Sequence, residues 1–216
     1  MPDSALKTFF ELLHATTGAQ VFNPWTQRDA GTDAPGNGPA ARLQRLRAHL
    51  AVTPRQILIG EASGYQGCHV SGIPFTSERL IMAGHIPRID SDGTRLSTRQ
   101  RPWSEPSATT VWGTLHQLGI ADDTVLWNAY PWHPHLPGKA QSNRTPTPSE
   151  RAAGLATLNE LLAAFPGARL FAVGRHAEAA TAGLGRKVTP LRHPSMGGAT
   201  AFREGLQRAL RGQVPL

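Results

Sequence analysis

Cysteine is nearly absent from this sequence: Cys68 is the only cysteine among 216 residues. One thiol excludes an intramolecular disulfide, a zinc site with four cysteine ligands and an iron–sulfur cluster held by cysteines alone. Long apolar segments are absent too, since no run approaches the roughly 20 residues that a membrane span needs. The first residues also lack the basic and apolar regions of a secretory signal peptide. We therefore expect a soluble, cytoplasmic protein that has no contact with a membrane.

Lysine is scarce as well. Of the 22 basic residues, three are Lys and 19 are Arg, and the formal net charge is +7. Because a guanidinium group can contact two phosphate oxygens at once, an excess of arginine is typical of proteins with nucleic-acid partners. A genome with a high GC content produces the same composition. The charge therefore leaves both interpretations open.

Four short apolar segments predict buried β-strands, at residues 56–60, 124–128, 169–174 and 187–191. Helical patterns surround them, the first after Ser4 and the others near residues 40–51, 108–118, 149–165, 176–183 and 199–210. Apolar strands that alternate with helices are typical of a parallel sheet covered on both faces. Because Pro190 cannot donate a ladder hydrogen bond, the fourth strand should lie at an edge or be interrupted there. We expect one domain over residues 1–216, with a three-layer α/β/α fold and a central, mainly parallel four-stranded sheet.

Polar residues follow these strands where each one ends. Glu61 closes the first strand, Asn128 the second, and His193 follows the fourth. Ligands of open parallel sheets bind beyond the carboxyl ends of the strands, so we expect these three groups to converge on one edge. Each alone is common in caps and turns, but the three together predict a site. The motifs of a nucleophile elbow, a P-loop and a dinucleotide-binding turn are absent from the sequence.

Histidine suggests a metal-dependent alternative. His85, His133 and His135 could bind zinc, because imidazole is a common metal ligand. Pro134 separates two of them within a stiff, Pro-rich segment that looks like an extended surface loop. We therefore expect no metal site, and a metal-dependent hydrolase is the third of our hypotheses.

Two motifs resemble the signature of a known family. The segment Gly60-Glu61-Ala62-Ser63-Gly64, followed after seven residues by Gly72-Ile73-Pro74-Phe75, resembles G-E-A-P-G…G-R-P-F of the uracil-DNA glycosylase superfamily. It is most similar to the iron–sulfur branch of that superfamily. His193-Pro194-Ser195 resembles the second motif, H-P-[SA], and Asn128 occupies the position of the base-reading Asn. The segment from Asn143-Arg144 to Pro146 resembles the N-R-x-P of several members, and the resemblance covers about residues 56–211.

The resemblance implies a role for each matching residue. Phe75 would stack on a base flipped out of the duplex, and Asn128 would read its Watson–Crick edge. His193 would stabilise negative charge on the departing base, while Glu61 would favour the cationic sugar or position water. Gly60, Ala62 and Gly64 would line the base pocket, and the expected DNA contacts are Ser63, Ser195, Met196, Gly197, Arg144 and the loop residues Arg88, Arg95, Arg99 and Arg101.

Departures from the family pattern define the expected activity. The four cysteines of the iron–sulfur branch are missing, so the resemblance implies a monomer without cluster, metal or other cofactor. Ala62 stands where some branches carry a water-activating Asp or Asn, and Gly64 where strict uracil enzymes place a Tyr that blocks the methyl group of thymine. We expect a monofunctional DNA glycosylase that removes uracil from DNA, with other deaminated or mismatched bases also accepted. The alternative is a non-catalytic relative that binds nucleic acid or a nucleobase.

Overall fold

The computed structural model describes residues 5–15 and 18–212, so the predicted helix cap at Ser4 lies outside the described residues. The helices are α1 Lys7–Ala15, α2 Pro39–Leu50, α3 Cys68–Ser71, α4 Glu78–Met82, α5 Pro106–Gln117, α6 Pro148–Ala164, α7 Arg175–Thr181 and α8 Ala199–Arg211. The strands are β1 Val21–Phe22, β2 Gln56–Ala62, β3 Thr124–Tyr130, β4 His133–Pro134, β5 Arg169–Val173 and β6 Val188–Leu191. No helix in these two ranges is both long enough and apolar enough to cross a membrane.

The central sheet confirms the predicted fold class. Its four strands run in the order β3-β2-β5-β6, and all of its pairs are parallel. Residues of β2 and β3 pair in register, so that Gly60 lies opposite Asn128. Pro190 lies in β6, which pairs only with β5 and is therefore an edge strand, where a missing backbone donor is tolerated.

The two faces of the sheet carry separate hydrophobic cores, because side chains of a strand alternate between its faces. Ile57 and Ile59 of β2 face a core shared with α1, α2 and α6, which we call the first face. Leu58 points to the second face, where Trp112 of α5 and Phe202 of α8 complete the core. Helices on both faces give the predicted three layers and leave the carboxyl ends of the strands open for a site.

The outer edge of β3 is closed by a histidine. His49 of α2 is fully buried, and its Nε2 accepts a hydrogen bond from the backbone N–H of Leu126 at 2.9 Å. Burial lowers the pKa of His49 to about 3, so the ring is neutral and can act as an acceptor. An unpaired backbone donor at a sheet edge is satisfied in this way.

A small two-stranded ribbon joins the Pro-rich segment, predicted as an extended surface loop, to residues near the N-terminal helix. Val21 and Phe22 of β1 pair antiparallel with Pro134 and His133 of β4. Strands of two residues are too short to produce a recognisable alternation in the sequence. The ribbon holds the start of the Pro-rich segment against the body of the protein.

Candidate active site

Gly60, Phe75 and Asn128 meet at the carboxyl end of β2. A Cβ atom added at Gly60 would lie 2.6 Å from Cζ of Phe75 and 2.5 Å from a terminal atom of the Asn128 amide. These distances are far below ordinary van der Waals contact, so only glycine allows the aromatic ring and the amide to approach this closely. The structure thus brings together two residues of the first motif and the Asn to which the resemblance assigns base reading.

Phe75 is held in an unusual backbone conformation. Its φ angle is +50°, a region that bulky side chains rarely adopt, and the residue is only 7% exposed. Backbone strain of this kind persists only where the surrounding structure imposes it, and it is concentrated at functional sites. The ring belongs to the core of the second face and lies 6.5 Å from the imidazole of His193, with an angle of 37° between their planes.

Asn128 is almost completely buried, and its amide is oriented by neighbouring backbone groups. In the orientation that satisfies both ends of the amide, Nδ2 donates to the carbonyl of Trp127 at 3.3 Å and Oδ1 accepts from Ser63 N–H at 3.2 Å. An amide has two donor hydrogens and two acceptor lone pairs. One of each therefore remains available to a ligand.

His193 has its tautomer fixed by the turn that follows it. Its Nδ1 accepts from the backbone N–H of Ser195 at 3.1 Å and lies 2.7 Å from the Ser195 hydroxyl oxygen. Because Nδ1 is an acceptor, the proton of the neutral ring is on Nε2. Burial, assisted by the charge of Arg192, lowers the pKa of His193 and favours this neutral form. The half-buried ring therefore presents Nε2–H as a donor.

An apolar tip follows this histidine. Met196 is 94% exposed and adopts a φ of +52°, and Gly197 follows with a φ of +74°. Two consecutive positive φ angles make a tight projection, and Met196 lies on it. The predicted DNA-contacting residues Ser195, Met196 and Gly197 are all exposed at this turn.

Ala62, the last residue of β2, and Gly64, in the loop that follows, lie beside the site. Both are half-buried, and Ala62 packs against the core of the first face. The amide of Asn143 lies against Gly64, and its Oδ1 accepts from the backbone N–H of Tyr65 at 3.1 Å. The Pro-rich segment is thereby attached to the first motif.

Glu61 does not join the other predicted catalytic residues. Its side chain lies on the first face and lines a cavity of about 450 Å³ between α6 and α7, whereas Phe75 lies in the second-face core. The Nδ1 atom of His176 lies 3.7 Å from Oε1 of Glu61. The carboxylate and the base-contacting residues are therefore on opposite faces of β2.

Two predicted DNA contacts have other partners in the structure. Ser63 is 2% exposed, and its hydroxyl donates to the carbonyl of Pro131. Arg144 forms a double ion pair with Glu150, with both N···O distances 2.7 Å, and its other donors reach the carbonyls of Gln20 and His135. Neither side chain is available to a phosphate, which corrects the interpretation of both residues.

The arginines of the 85–107 segment divide into two groups. Arg88 donates to the carbonyls of His49 and Thr124, and Arg95 is paired with the buried carboxylate of Glu78 at 2.8 Å. Both are structural, contrary to the prediction of phosphate contacts. Arg99 and Arg101 are exposed.

Arg99 lies close to the first motif. Its guanidinium is 3.6 Å from the ring centre of Trp103, and the Trp103 ring in turn meets Tyr65 edge-on at 5.4 Å. The indole therefore links this exposed cation to the loop that leaves β2.

The histidines proposed for zinc are not assembled into a site. His85 lies beside His116, while His133 is buried and hydrogen-bonded to His69. Within residues 5–15 and 18–212, no group of three His, Cys, Asp or Glu side chains is placed to hold a metal ion. The metal-dependent hypothesis therefore has no structural support.

Two ionisable groups beside the first motif were not predicted, the buried His69 and the half-buried Glu105. His69 forms hydrogen bonds with His133 and Asp29, and Glu105 lies against the backbone of Gly67. Burial raises the pKa of Glu105 to about 7, and burial also raises that of Cys68 to about 12, which makes the thiol inert. Their burial depends on long-range packing that leaves no periodic signal in the sequence.

Comparisons with known proteins identify the family and a similar fold. The family model described as the uracil DNA glycosylase superfamily matches residues 48–210. The fold is similar to that of the wild-type SMUG2 crystal structure from Pedobacter heparinus, with a TM-score of 0.64 and 13% identity, covering 96% of this chain and 97% of the other. Among curated protein sequences, none matches this chain at a significant level.

Proposed function

This chain belongs to the uracil DNA glycosylase superfamily, and from that premise we propose that it hydrolyses the N-glycosidic bond of uracil in DNA. The observation that carries the proposal is the convergence of Phe75 and Asn128 at Gly60, beside the donor of His193. A stacked duplex hides the glycosidic bond, so a glycosylase must turn the nucleotide out of the helix and hold it. The three groups supply an aromatic face, a reader of the base edge and a donor.

Asn128 is suited to read uracil. The edge of uracil presents the N3–H donor beside the O4 acceptor, and the remaining lone pair and N–H of the Asn128 amide complement that pair. Cytosine presents an acceptor at N3 and a donor at its amino group, so the same orientation would oppose it. Because the amide is fixed by Ser63 and Trp127, it cannot rotate without losing its own hydrogen bonds.

His193 would stabilise the departing base. When the bond between C1′ and N1 breaks, its electron pair stays on the base and negative charge develops at O2, while the sugar becomes a cation. The Nε2–H of His193 is a fixed neutral donor, and oriented donors at a developing charge are a large source of catalysis. Water then adds to C1′ and releases its proton to solvent.

The methyl group of Ala62 supplies no base to activate that water. We infer that stabilisation of the leaving base contributes most of the rate enhancement. Glu61 could act only through electrostatic attraction to the cationic sugar, because its carboxylate lies on the first face of the sheet. A relative that flips and binds the base without cleaving it is the second candidate, and Ala62 is the observation that favours it.

DNA contact would come from the exposed turn and the arginines that remain free for phosphate. Met196 would enter the duplex where the base leaves, and Arg99 and Arg101 would contact phosphates. Gly64 carries no side chain that would block the methyl group of thymine, although the amide of Asn143 lies against this residue. Mismatched thymine is therefore included in the proposed substrates.

The test is a duplex oligonucleotide with one uracil, treated with protein and then with alkali to cleave abasic sites. Wild type should cleave the strand at the uracil. Asn128→Ala and His193→Ala should each reduce the single-turnover rate by about 10²-fold or more, while the exposed Glu178→Gln should not. If folded wild type binds the oligonucleotide but never produces an abasic site, the non-catalytic candidate replaces this proposal.

A further inference from the structure

The cavity that Glu61 lines lies between α6 and α7, away from the base-reading residues. It has a volume of about 450 Å³, within the range of roughly 300–1,000 Å³ typical of small-molecule sites. Its floor is formed by the end of the sheet, where Glu61, Ala129 and Tyr130 lie. We call it the α6–α7 cavity; its walls are Pro146, Arg151, Ala152, Leu155, His176, Ala179 and Ala180.

Two polar groups on the floor lack protein partners. Tyr130 is 1% exposed, and the described residues give its hydroxyl no hydrogen bond. Oε1 of Glu61 is buried and likewise finds no hydrogen-bond partner among the described residues. His176 is nearest to that oxygen, at 3.7 Å, which exceeds hydrogen-bond distance. Burying the carboxylate oxygen of Glu61 without a partner is unfavourable, so this oxygen is suited to a ligand that provides a donor.

The lining specifies the chemistry of that ligand. A carboxylate accepts hydrogen bonds only, so the buried end of the ligand must present N–H or O–H donors to Glu61. The walls contributed by Ala152, Leu155 and Ala180 are aliphatic and suit the faces of a flat ring. Arg151 and His176 are exposed at the mouth, where a cationic side chain would attract an anionic group.

We propose that the α6–α7 cavity binds a guanine nucleotide. Guanine presents two adjacent donors, N1–H and the N2 amino group, which match the two oxygens of one carboxylate, and Tyr130 can donate to an acceptor of the ring. The phosphate would lie at Arg151. The same chemistry has two sources, a free guanine nucleotide and a guanine of the DNA strand next to the lesion.

Calorimetric titration of the purified full chain with dGMP tests the proposal. We expect binding of dGMP and about tenfold weaker binding of deoxyinosine monophosphate, which lacks the N2 amino group. Glu61→Gln and Tyr130→Phe should each weaken dGMP binding. Ala152→Phe should abolish it by filling the cavity, and Ala179→Phe provides the same test from the opposite wall if the first variant does not fold.

The controls separate this site from the one proposed for excision. The exposed Glu178→Gln should bind dGMP like wild type, and Phe75→Ala should also retain binding while losing excision. The proposal is overturned if folded, uracil-excising wild type shows no dGMP binding. It is also overturned if Phe75→Ala abolishes binding while Ala152→Phe retains it, because the nucleotide would then occupy the base-reading site.

The two sources are distinguished with DNA. Uracil substrates are compared with guanine or inosine as the neighbouring base, in wild type and in Ala152→Phe. If DNA supplies the guanine, wild type should excise faster beside guanine, and the variant should lose that preference. If a free nucleotide is the ligand, neither protein should distinguish the neighbours, and dGMP should still bind to the DNA complex.

Discussion

The imidazole rings of His69 and His133 face each other through their Nδ1 atoms, 2.8 Å apart. Nε2 of His69 lies 2.9 Å from a carboxylate oxygen of Asp29, and Nε2 of His133 lies 2.8 Å from the carbonyl of Ser142. Both outer partners accept only, so all three contacts are satisfied when the two rings share three protons. The hydrogen bond from His69 holds the pKa of Asp29 well below its usual range, so that carboxylate is ionised.

This chain of contacts links two segments beside the candidate site. His69 belongs to α3, which follows the first motif, and Ser142 precedes Asn143, whose side chain accepts from Tyr65. Burial lowers the pKa of both rings, to about 3 for His133, while the carboxylate of Asp29 opposes this shift at His69. These contacts hold together two segments that support the base-binding loop.

Stability should therefore decrease in acid. His49 and His133 have their pKa lowered to about 3 from the usual 6.5, so the unfolded chain takes up protons first as the pH falls. Their contribution is fully present above about pH 6.5 and is lost as the pH falls toward 3, at about 1.4 kcal/mol per pH unit for each ring. Urea denaturation between pH 8 and 4.5 measures this pH dependence of the free energy of unfolding. His49→Gln should lower stability at pH 7.5 and reduce the slope below pH 6.5, and an unchanged slope would refute the assignment.

The pH dependence of excision should report His193. Its pKa is lowered by burial, and protonation of Nδ1 would break the contact with the backbone N–H of Ser195. The single-turnover rate should be constant above about pH 6.5 and decline only below it. The acid limb should be missing from the residual rate of His193→Ala. If the rate of that variant still declines in the same way below pH 6.5, the decline belongs to a group other than His193.

Gly60→Ala should abolish base recognition. The added methyl group would lie 2.6 Å from the Phe75 ring, so ring or strand must shift. We expect excision to fall by at least about 10²-fold, since small displacements of positioned groups have effects of that size. The matched control is Gly113→Ala, at an exposed position of α5 with no atom within 4 Å, where alanine should add about 0.5–1 kcal/mol of stability. Equal activity in the two variants would contradict the role of Gly60.

Met196→Ala should reduce the rate of excision from double-stranded DNA but not from single-stranded DNA. The side chain is 94% exposed, so its loss should leave the melting temperature unchanged. If it fills the space of the departed base, excision from duplex DNA should fall about tenfold or more while excision from single strands is retained. Leu136→Ala, at another exposed apolar residue, is the control and should leave both rates intact. Equal losses of excision rate on both substrates would refute the insertion of Met196 into the duplex.

The sequence predicted the parallel sheet and the position of Asn128 at the carboxyl end of a strand, because strand patterns and the open sheet edge follow from local rules. It misplaced Glu61, although the alternation of strand side chains already sets Glu61 and Gly60 on opposite faces. The predicted phosphate contact of Arg144 was also wrong, because a helix-capping residue binds its side chain. Thr147 and Glu150 form a capping box at the start of α6, and that Glu150 carboxylate also engages Arg144. The burial of His69 and His133, in contrast, depends on a ribbon whose strands are too short to recognise.

The distinction between Arg144 and Arg99 can be tested directly. Arg144→Ala removes a double ion pair and the anchor of the Pro-rich segment, so we expect a loss of about 2–3 kcal/mol of stability and an unchanged salt dependence of DNA binding. Arg99→Ala should retain stability but lower the slope of log K against log salt by about one, because each phosphate contact releases its counterions. Binding isotherms between 50 and 200 mM salt give both slopes. If Arg144→Ala lowers the slope and Arg99→Ala does not, the phosphate contact belongs to Arg144, and its pairing with Glu150 must open when DNA binds.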